Sequence, residues 1–510
     1  MNAADIFGIV IFVLIVSLTM YITYWASKRN RDASDFYAAG RSLTGMQNGF
    51  AIAGDYLSAA SFLGIAGLVA LHGYDGFMYA VGWLMGYVIV LYIVAEPFRN
   101  SGKFTLADVL SFRLSQRPVR SASAVVTLAV TLFYMVAQLV GAGAIIQLLV
   151  GIPYEFAIIF IGILMIIYVS VGGMLATSWV QIIKAVLLMS AMIIMILFIG
   201  VIFNFNINSL FGTVIDTNGV QFLEPGQLYT NPIDLFSLGM ALILGTAGLP
   251  HLLVRFYTVP SAQAARKSVI WAMGIIGIFY ILITFIGFAA SSLVGRDRIM
   301  EVDAGGNMAA PLLGAYLGGG EGTFGGELFM SAIAAVAFAT IIAVVAGLVI
   351  TGAGAFAHDI YTNVIKRGEV DSDKQFKVAR RASLVIGILS ILIGILAKDM
   401  NVAYLVVLAF CVGASANLPV FIFSIYWKRF NTTGAVASML IGTIAAVGLV
   451  MIGPSVMGDN AIFPLANPGV VSIPLGFLSA VVFTFLGKRD EEEAKYSEMT
   501  VRANTGIEAE

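Results

Sequence analysis

Asp55 is the most conspicuous ionisable residue of the sequence, because it interrupts an apolar segment at 51–61. A carboxylate surrounded by apolar residues is costly to bury and is therefore a candidate functional group. A helix break near Gly54 would free backbone carbonyls, which together with the carboxylate could bind a cation. The alternative is a carboxylate that only hydrogen-bonds a neighbouring helix, but a neutral Asn could do this at a lower desolvation cost. We therefore interpret Asp55 as a binding residue beside a helix break.

A second interruption lies at 245–255, where glycine and proline stand inside another apolar segment. Pro250 lacks a backbone donor and clashes with the preceding turn, and Gly245 and Gly248 relax the chain before it, so a broken helix is predicted. His251 follows the proline and fits a role in satisfying a freed carbonyl at least as well as one in proton transfer. For Arg255, one turn further on, we expect an anchor or gate ion pair rather than a substrate ligand.

Other chemistries find little support in the sequence. The three histidines, His72, His251 and His358, are scattered and do not form a metal-ligand pattern. There is no phosphate-binding loop, no selectivity motif of a channel and no nucleophile paired with a base. The amides Gln138, Gln147 and Asn417, which stand within apolar segments, are typical of hydrogen bonds across membrane helices, although any of them could line a cavity. We expect no enzymatic activity, no cofactor and no nucleic-acid partner.

The composition shows what surrounds these residues. Of the 510 residues, 59% are hydrophobic and only 11% are charged, whereas soluble domains are about 45–50% apolar and about 25% charged. The 54 glycines suit helices that approach closely in lipid. The single cysteine, Cys411, cannot form an intrachain disulfide. The sequence therefore predicts an all-α integral membrane protein.

The apolar segments predict about thirteen transmembrane helices. They lie at roughly 5–27, 47–72, 75–97, 121–149, 154–176, 181–204, 234–257, 268–294, 326–357, 381–398, 402–427, 433–453 and 470–487. With the N-terminus outside, all 28 Lys and Arg lie at or near the cytoplasmic side except Arg296, Arg298 and Lys398. We therefore predict an external N-terminus and a cytoplasmic C-terminus in the plasma (inner) membrane.

The two interrupted helices stand at corresponding places in two halves of the chain. Helices two to six (47–204) and seven to eleven (234–427) begin on opposite sides of the membrane, so five helices in each half form an inverted repeat. Interrupted helices at matching positions of such repeats are typical of transporter binding sites. Residues 1–487 are predicted as one transmembrane domain, followed by a polar, poorly ordered cytoplasmic tail at 488–510.

Several motifs identify a family resemblance. The fifth predicted helix carries Tyr168-Val-Ser-Val-Gly-Gly-Met-Leu-Ala176, followed by Thr-Ser-Trp-Val-Gln-Ile-Ile-Lys-Ala. Three further motifs begin at Gln47 (Gln-Asn-Gly-Phe-Ala-Ile-Ala-Gly-Asp-Tyr), at Gly245 (Gly-Thr-Ala-Gly-Leu-Pro-His) and at Ala334 (Ala-Val-Ala-Phe-Ala-Thr-Ile). The chain resembles the sodium/solute symporter family, and most closely its acetate permease (cation/acetate symporter) branch.

The resemblance implies the inverted-repeat fold of amino-acid and sugar symporters and a cation site between the second and ninth helices. Carried over by position, this site contains the Asp55 carboxylate, the carbonyls of Ala53 and Tyr56, and Thr340, Ala343 and Val344. Many sodium-coupled members have two adjacent hydroxyl residues where this chain has Ala343 and Val344, which leaves Thr340 as the nearest hydroxyl. Sodium is the favoured coupling ion, and a proton carried by Asp55 is the alternative.

The resemblance also implies acetate or another small monocarboxylate as substrate. A two-carbon carboxylate needs a small pocket with hydrogen-bond donors, which a helix N-terminus at a break can supply. The candidate pocket residues are Thr246, Ala247 and Gly248, with Ser58, Ser61 and Gln138 facing them. We predict import by alternating access with at least one cation per acetate. The alternatives are proton coupling, sodium symport of another solute such as pyruvate or proline, and a membrane sensor with a transporter fold.

Overall fold

The computed structural model describes residues 3–27, 38–169, 174–488 and 494–507. Throughout these ranges the chain forms helices and no strand. The basic residues at 28–31, the Gly-Gly pair at 172–173 and the acidic run at 490–493 lie outside the described residues, and so do the predictions made for them.

Twenty-three α-helices follow one another along the described chain. They are α1 (Ala3–Ser27), α2 (Gly45–Tyr56), α3 (Ile65–His72), α4 (Tyr74–Ile89), α5 (Ala95–Ser101), α6 (Leu106–Arg113), α7 (Gln116–Val150), α8 (Tyr154–Val169), α9 (Met174–Ile202), α10 (Ile207–Asn218), α11 (Pro232–Gly245), α12 (Pro250–Leu253), α13 (Ala262–Ala290), α14 (Arg296–Val302), α15 (Ala309–Leu317), α16 (Phe324–Gly354), α17 (Ser372–Leu396), α18 (Val402–Val412), α19 (Leu418–Tyr426), α20 (Thr432–Met451), α21 (Pro454–Met457), α22 (Gly469–Leu486) and α23 (Ala494–Thr505).

Short π-helical and 3₁₀-helical segments connect many of these helices. The π-helical segments are Ala60–Gly64, Val90–Val94, Ser291–Gly295, Ala355–Ile365 and Gly413–Asn417. The 3₁₀ segments are Ala39–Arg41, Val220–Leu223, Thr246–Gly248, Val254–Thr258 and Gly458–Asn460. Such segments often mark functional sites in membrane helices.

The all-helical membrane architecture is confirmed. Nine helices of the described part are long and apolar enough to cross a membrane, or eleven if each of two bent helix pairs is one span. Helix α1 and the shorter apolar helix Tyr154–Met165 occupy the positions of the first and fifth predicted spans. The exact count of thirteen stays a prediction, as does the division into two inverted repeats.

The second span is broken three residues after Gly54. Helices α2 and the following Ala60–His72 meet at an angle of 61°, and the chain leaves helical geometry at Leu57, where ψ is 76°. The break is therefore near Gly54, as predicted, but the glycine itself lies inside α2 and does not form it. A Cβ at Gly54 would lie 2.2 Å from the Gln181 carbonyl oxygen. The glycine is therefore required for the close approach of α2 and α9.

The seventh span breaks where the sequence predicts. The segments Pro232–Gly248 and Pro250–Thr258 are bent by 43°. Leu249 is extended, with φ −86° and ψ 112°, and Pro250 is the first residue of α12. The proline ring disfavours helical geometry in the preceding residue, and its missing N–H is not needed at a helix start.

The centre of the bundle is formed by α16 and α18. The membrane-spanning part of α16 is wholly buried, and nearly all of α18 is buried as well. Helix α1 packs against α16, where the rings of Phe12 and Phe338 are 4.9 Å apart. Helices α16 and α18 therefore contact protein on nearly every side.

The prediction of a poorly ordered tail is wrong for the described residues 494–507. Helix α23 packs against α5, and Met499 and Ala503 are fully buried. The Asn100 side chain donates a hydrogen bond to the Ala503 carbonyl at 2.9 Å, and Arg502 donates to the Asn100 carbonyl at 3.1 Å. The tail is polar overall but presents one apolar face to the bundle.

Candidate functional site

The two breaks meet in the interior of the bundle. The Tyr56 hydroxyl, at the end of α2, lies 3.1 Å from Thr246 Oγ1 and donates a hydrogen bond to the Trp83 carbonyl at 3.0 Å. A Cβ at Gly86 would lie only 2.2 Å from Thr246 Oγ1, so α4 approaches the break closely. Tyr56, Thr246 and Trp83 are all buried. The second, third and seventh predicted spans thus converge on one place.

Aromatic side chains enclose this place. Tyr56 contacts Tyr87 edge to face with ring centroids 4.7 Å apart, and Trp83 stacks on Tyr280 at 6.4 Å. Phe410 of α18 lies 5.6 Å from Trp83. Sequence reasoning missed these residues, because aromatic side chains in apolar segments are usually interpreted as packing.

The predicted pocket residues on the second and fourth spans border these rings. The Tyr134 hydroxyl donates to Ser58 Oγ at 3.3 Å, and Ser61 Oγ donates to the Tyr56 carbonyl at 3.2 Å. The Gln138 side-chain oxygen accepts a hydrogen bond from the Ala59 N–H at 3.3 Å.

The predicted residues of the seventh span pack against the eleventh. Ala247 is fully buried, and the Gly248 carbonyl accepts a hydrogen bond from the Asn417 amide at 2.8 Å. A Cβ at Gly248 would lie 2.2 Å from the Gly413 carbonyl oxygen, and one at Gly245 would lie 2.5 Å from that of Phe410. These glycines therefore hold the break against α18 and the π-helical segment after it.

Several buried polar atoms around the aromatic side chains have no hydrogen-bond partner within the described chain. They are Trp83 Nε1, the Tyr87 hydroxyl, Gln138 Nε2 and His251 Nε2. The His251 ring lies 4.9 Å from that of Tyr134, which places it beside the same aromatic side chains. Leaving a buried donor unpaired costs about 1–3 kcal/mol, so a group of them needs an explanation. Unpaired donors of this kind are candidates for contacts with a ligand.

A fully buried ion pair lies on the cytoplasmic side of these aromatic side chains in the predicted orientation. Arg255 Nε donates to Asp55 Oδ2 at 2.9 Å, and both side chains are 0% exposed. Gln181 Nε2 donates to Asp55 Oδ1 at 2.9 Å, and Arg255 Nη1 donates to Ser178 Oγ at 2.9 Å. A Cβ at Gly347 would lie 3.2 Å from Asp55 Oδ1, so this glycine makes room for the pair. Of the two roles expected for Arg255, this contact fits the ion pair.

The oxygens expected to bind a cation already accept hydrogen bonds in this structure. The Ala343 carbonyl accepts from Gln181 Nε2 at 2.9 Å. The Ala53 carbonyl accepts from the Leu57 N–H, and that of Tyr56 accepts from the Ser58 N–H, both at 2.8 Å.

The remaining expected cation ligands, on α16, offer few free oxygen atoms to a cation. The Thr340 hydroxyl donates to the Val336 carbonyl of its own helix at 2.9 Å, and Val344 is buried and has no polar side-chain atom. The structure therefore brings Asp55 and Ala343 together through Gln181, while the Arg255 guanidinium already neutralises the carboxylate.

Ser178, Gln181 and Lys184 were missed as site residues. They lie on one side of α9, within the Thr-Ser-Trp-Val-Gln-Ile-Ile-Lys-Ala motif. Lys184 is 2% exposed. An ionisable side chain in an apolar helix was the signal that could have identified it.

A second charged cluster lies at a cavity whose lining includes Thr105, Pro250 and Asp359. Asp108, His358 and Asp359 are the only acidic or histidine side chains of the described ranges that lie together at metal-ligand spacing. The Arg120 guanidinium lies 2.9 Å from Asp108 and 2.7 Å from Asp359. Because one guanidinium contacts both carboxylates, we interpret the cluster as an ion-pair network that joins three helical segments rather than as a metal site.

Comparison with known proteins agrees with this architecture. The model of the sodium:solute symporter family matches residues 36–442. A Bacillus subtilis protein named uncharacterized symporter YwcA is 51% identical over 511 residues, covering 98% of both chains. A Corynebacterium glutamicum protein named monocarboxylic acid transporter is 48% identical over 535 residues, covering 99% of this chain and 96% of the relative.

Two solved structures show the same fold at low sequence identity. One is a Na⁺-coupled sialic acid symporter, with a TM-score of 0.74, 18% identity, and coverage of 94% of this chain and 98% of that chain. The other is Mhp1, a nucleobase-cation-symport-1 family transporter, with a TM-score of 0.51, 14% identity, and coverage of 92% and 99%. Because the family model matches most of the chain and both relatives match nearly all of it, the protein belongs to the sodium:solute symporter family and is a multi-pass membrane symporter of small solutes rather than an enzyme.

Proposed function

We propose that this protein imports acetate and related short-chain monocarboxylates together with a coupling cation. The observation that carries the proposal is the group of buried, unpartnered polar atoms around the pocket between the two breaks, namely Trp83 Nε1, the Tyr87 hydroxyl and Gln138 Nε2. A carboxylate has two oxygens that accept several hydrogen bonds, so it can satisfy donors from different helices at once.

The walls of the pocket suit the apolar end of a short acid. Rings of Tyr56, Trp83 and Phe410 surround it, and Thr246 fills the space beside Gly86. A methyl or ethyl group would contact these rings, while a longer chain would meet the tightly packed glycine contacts of the seventh and eleventh spans. The name of the Corynebacterium relative supports the same substrate class.

The geometry supports the proton better than sodium as the coupling ion. Sodium is common in the family, but it needs several free oxygen ligands. Here Asp55 is paired with Arg255, and the Ala343 carbonyl accepts from Gln181. Sodium would have to share these oxygens with the Gln181 amide and the Arg255 guanidinium, so it is the second candidate.

The proposal includes a location and an orientation. We place the protein in the plasma membrane, with the N-terminus outside, the tail inside, and transport by rocking of one helix group against the other around the fixed pocket. A symport of one acetate with one monovalent cation would be electroneutral, so the membrane potential would not drive it.

Uptake of radiolabelled acetate into proteoliposomes tests the proposal. An imposed pH gradient should drive accumulation, and a sodium gradient at uniform pH should drive less. Liposomes without protein measure the unaided passage of acetic acid, which is subtracted. Absence of protein-dependent uptake under both gradients would reject acetate as substrate and lead next to pyruvate and proline.

A pair of glutamine variants tests the pocket. Gln138→Leu removes a donor of the pocket and should raise the acetate concentration for half-maximal uptake several-fold. Gln147→Leu changes an exposed residue on the same helix and should leave uptake unchanged. Equal kinetics in the two variants would remove Gln138 from the substrate site. In the same assay, larger side chains at Thr246 should weaken uptake of the longer acids of the series first.

A further inference from the structure

Lys184 is a buried amine in the first half of α9 that the proposed substrate pocket does not use. The helix begins at Met174, so Lys184 lies about 15 Å along its axis at 1.5 Å per residue. Its side chain is 2% exposed, and Nζ has no hydrogen-bond partner in the described chain. Lysine at this depth is rare unless it is paired or functional.

The surroundings of Lys184 include the Asp55–Arg255 pair. Gln181 lies three residues earlier on the same face of α9 and donates to both Asp55 and the Ala343 carbonyl. The charged groups that act on Lys184 are Asp55 and Arg255.

The other helices packed against α9 supply no free carboxylate to Lys184. Helix α16 contains a single acidic residue, Glu327, which accepts a hydrogen bond from Gly322 N–H at the start of that helix. Helix α13 has only the basic residues Arg266 and Lys267, in its first turns, and α15 has no charged residue. The side chain of Asp5 in α1 is outside what the structure describes.

The charges of Asp55, Arg255 and Lys184 do not cancel if Lys184 is an ammonium ion. Asp55 and Arg255 neutralise each other, and both Asp55 oxygens already accept hydrogen bonds. A charged Lys184 would therefore be an uncompensated positive charge in a dry interior, which is strongly unfavourable. The neutral amine, with its lone pair free to accept a proton, fits this conformation.

We propose that Lys184, on the helix that contacts the buried pair of Asp55 and Arg255 through Gln181 and Ser178, is the binding site of the coupling proton. This inference rests on the proposed monocarboxylate symport. The amine lone pair takes up a proton in the outward-facing state, and the resulting ammonium compensates the charge of the incoming carboxylate. The protonated side chain then competes with Arg255 for Asp55, which couples protonation to the contact between the two broken spans. Release of the proton to the cytoplasm restores the neutral amine.

The linkage between the two ligands follows from this arrangement. A carboxylate in the pocket favours the protonated lysine, and the protonated lysine favours carboxylate binding by the same factor. Lys184 is thus a coupling residue, which is distinct from the donors that hold the substrate.

Two transport modes separate the coupling role from substrate binding. Exchange of labelled for unlabelled acetate at equal pH on both sides needs the pocket and alternating access, but no net proton movement. Accumulation under a pH gradient, and acetate-dependent proton entry reported by an internal pH dye, need the coupling site. Both modes are measured on the full-length protein, with protein-free liposomes subtracted.

Lys184→Met keeps the length of the side chain and removes the proton acceptor. We expect this variant to exchange acetate while losing accumulation above the external concentration and losing acetate-dependent proton entry. Lys398→Met, at a half-exposed lysine, is the matched control and should behave as wild type. Lys184→His tests the role through a second titratable group and should retain proton entry with its pH profile displaced to lower pH.

The possible outcomes distinguish this inference from the proposed function. Proton entry and accumulation in Lys184→Met equal to those of wild type would overturn the coupling role while leaving acetate transport intact. Wild-type uptake driven only by sodium, without proton entry, would overturn it too. No acetate exchange by the wild type would reject the proposed function itself. If Lys184→Met does not fold, an unshifted pH profile in Lys184→His contradicts the proposal.

Discussion

The buried pair of Asp55 and Arg255 predicts an unequal response to removal of its two members. Both side chains are 0% exposed and joined at 2.9 Å, and breaking such a pair by removing one partner costs about 3–5 kcal/mol. Asp55→Asn leaves Arg255 without a counterion, so we expect a loss of unfolding free energy near the upper end, about 5 kcal/mol. Arg255→Met leaves a carboxylate that keeps its hydrogen bond from Gln181 and has the Lys184 amine nearby. Its loss should therefore be smaller, at or below about 3 kcal/mol.

The double variant provides the internal control. Asp55→Asn with Arg255→Met removes both charges, and replacement of a buried pair by neutral groups is often close to neutral in stability. We expect it to return to within about 2 kcal/mol of wild type. Unfolding by SDS in mixed micelles gives the four free energies, and the difference from additivity gives the coupling between the residues.

Two results would refute this reasoning. If the losses of the single variants simply add in the double variant, the pair does not act as a unit. If Arg255→Met is less stable than Asp55→Asn, the nearby amine does not compensate the carboxylate, and the charge balance assigned to the cluster is incorrect.

Three further predictions concern packing, pH and the tail. Gly54→Ala places a Cβ 2.2 Å from a backbone oxygen and should lower the free energy of unfolding by about 1–3 kcal/mol. Gly274→Ala has open space around it and should not lower the stability. Equal melting temperatures of the two variants would contradict the close helix contact. Burial raises the pKa of Asp303 to about 6. The contribution of this protonated carboxyl to stability is therefore complete below about pH 4 and is lost as the pH rises through about 6. Asp303→Asn should abolish this part of the pH dependence of the unfolding free energy, and an unchanged pH dependence in the variant would reject the role of Asp303. Met499 is fully buried, so Met499→Lys should release α23 and speed tryptic cleavage of the tail. Val501→Lys, at a 51% exposed position, should not change the cleavage rate. Similar cleavage of both variants would show that the buried face of α23 is misassigned.

The architecture was largely predictable from local sequence. Apolar segments of membrane-spanning length are a strong signal, and Pro250 defines its own break because it restricts the residue before it. Gly54 was misinterpreted because a glycine in a helix can permit a bend or a close contact, and the sequence does not distinguish the two. The deciding fact is the backbone of Gln181, on another helix.

The site was only partly predictable, because its contacts join distant residues. Asp55 could be identified as a site residue because a carboxylate in an apolar segment is costly to bury. Its pairing with Arg255, 200 residues later, depends on the fold and could not be read from the sequence. The unpartnered Trp83 and Tyr87 atoms are likewise a property of the folded pocket. Helix α23 offered a usable signal that was missed, since its buried Met499 and Ala503 are four residues apart on one helical face.

The long sequence separation of the ion pair also matters while the chain is being made. Asp55 leaves the ribosome 200 residues before its partner, which at 5–20 residues per second is about 10–40 s. During this interval the second span must enter the membrane with its carboxylate protonated, hydrated or held by the insertion machinery. Arg255 is synthesised with the seventh span, and only then can the ion pair with Asp55 form. A nascent chain that ends before Arg255 therefore carries Asp55 without the guanidinium that pairs with it in the folded protein.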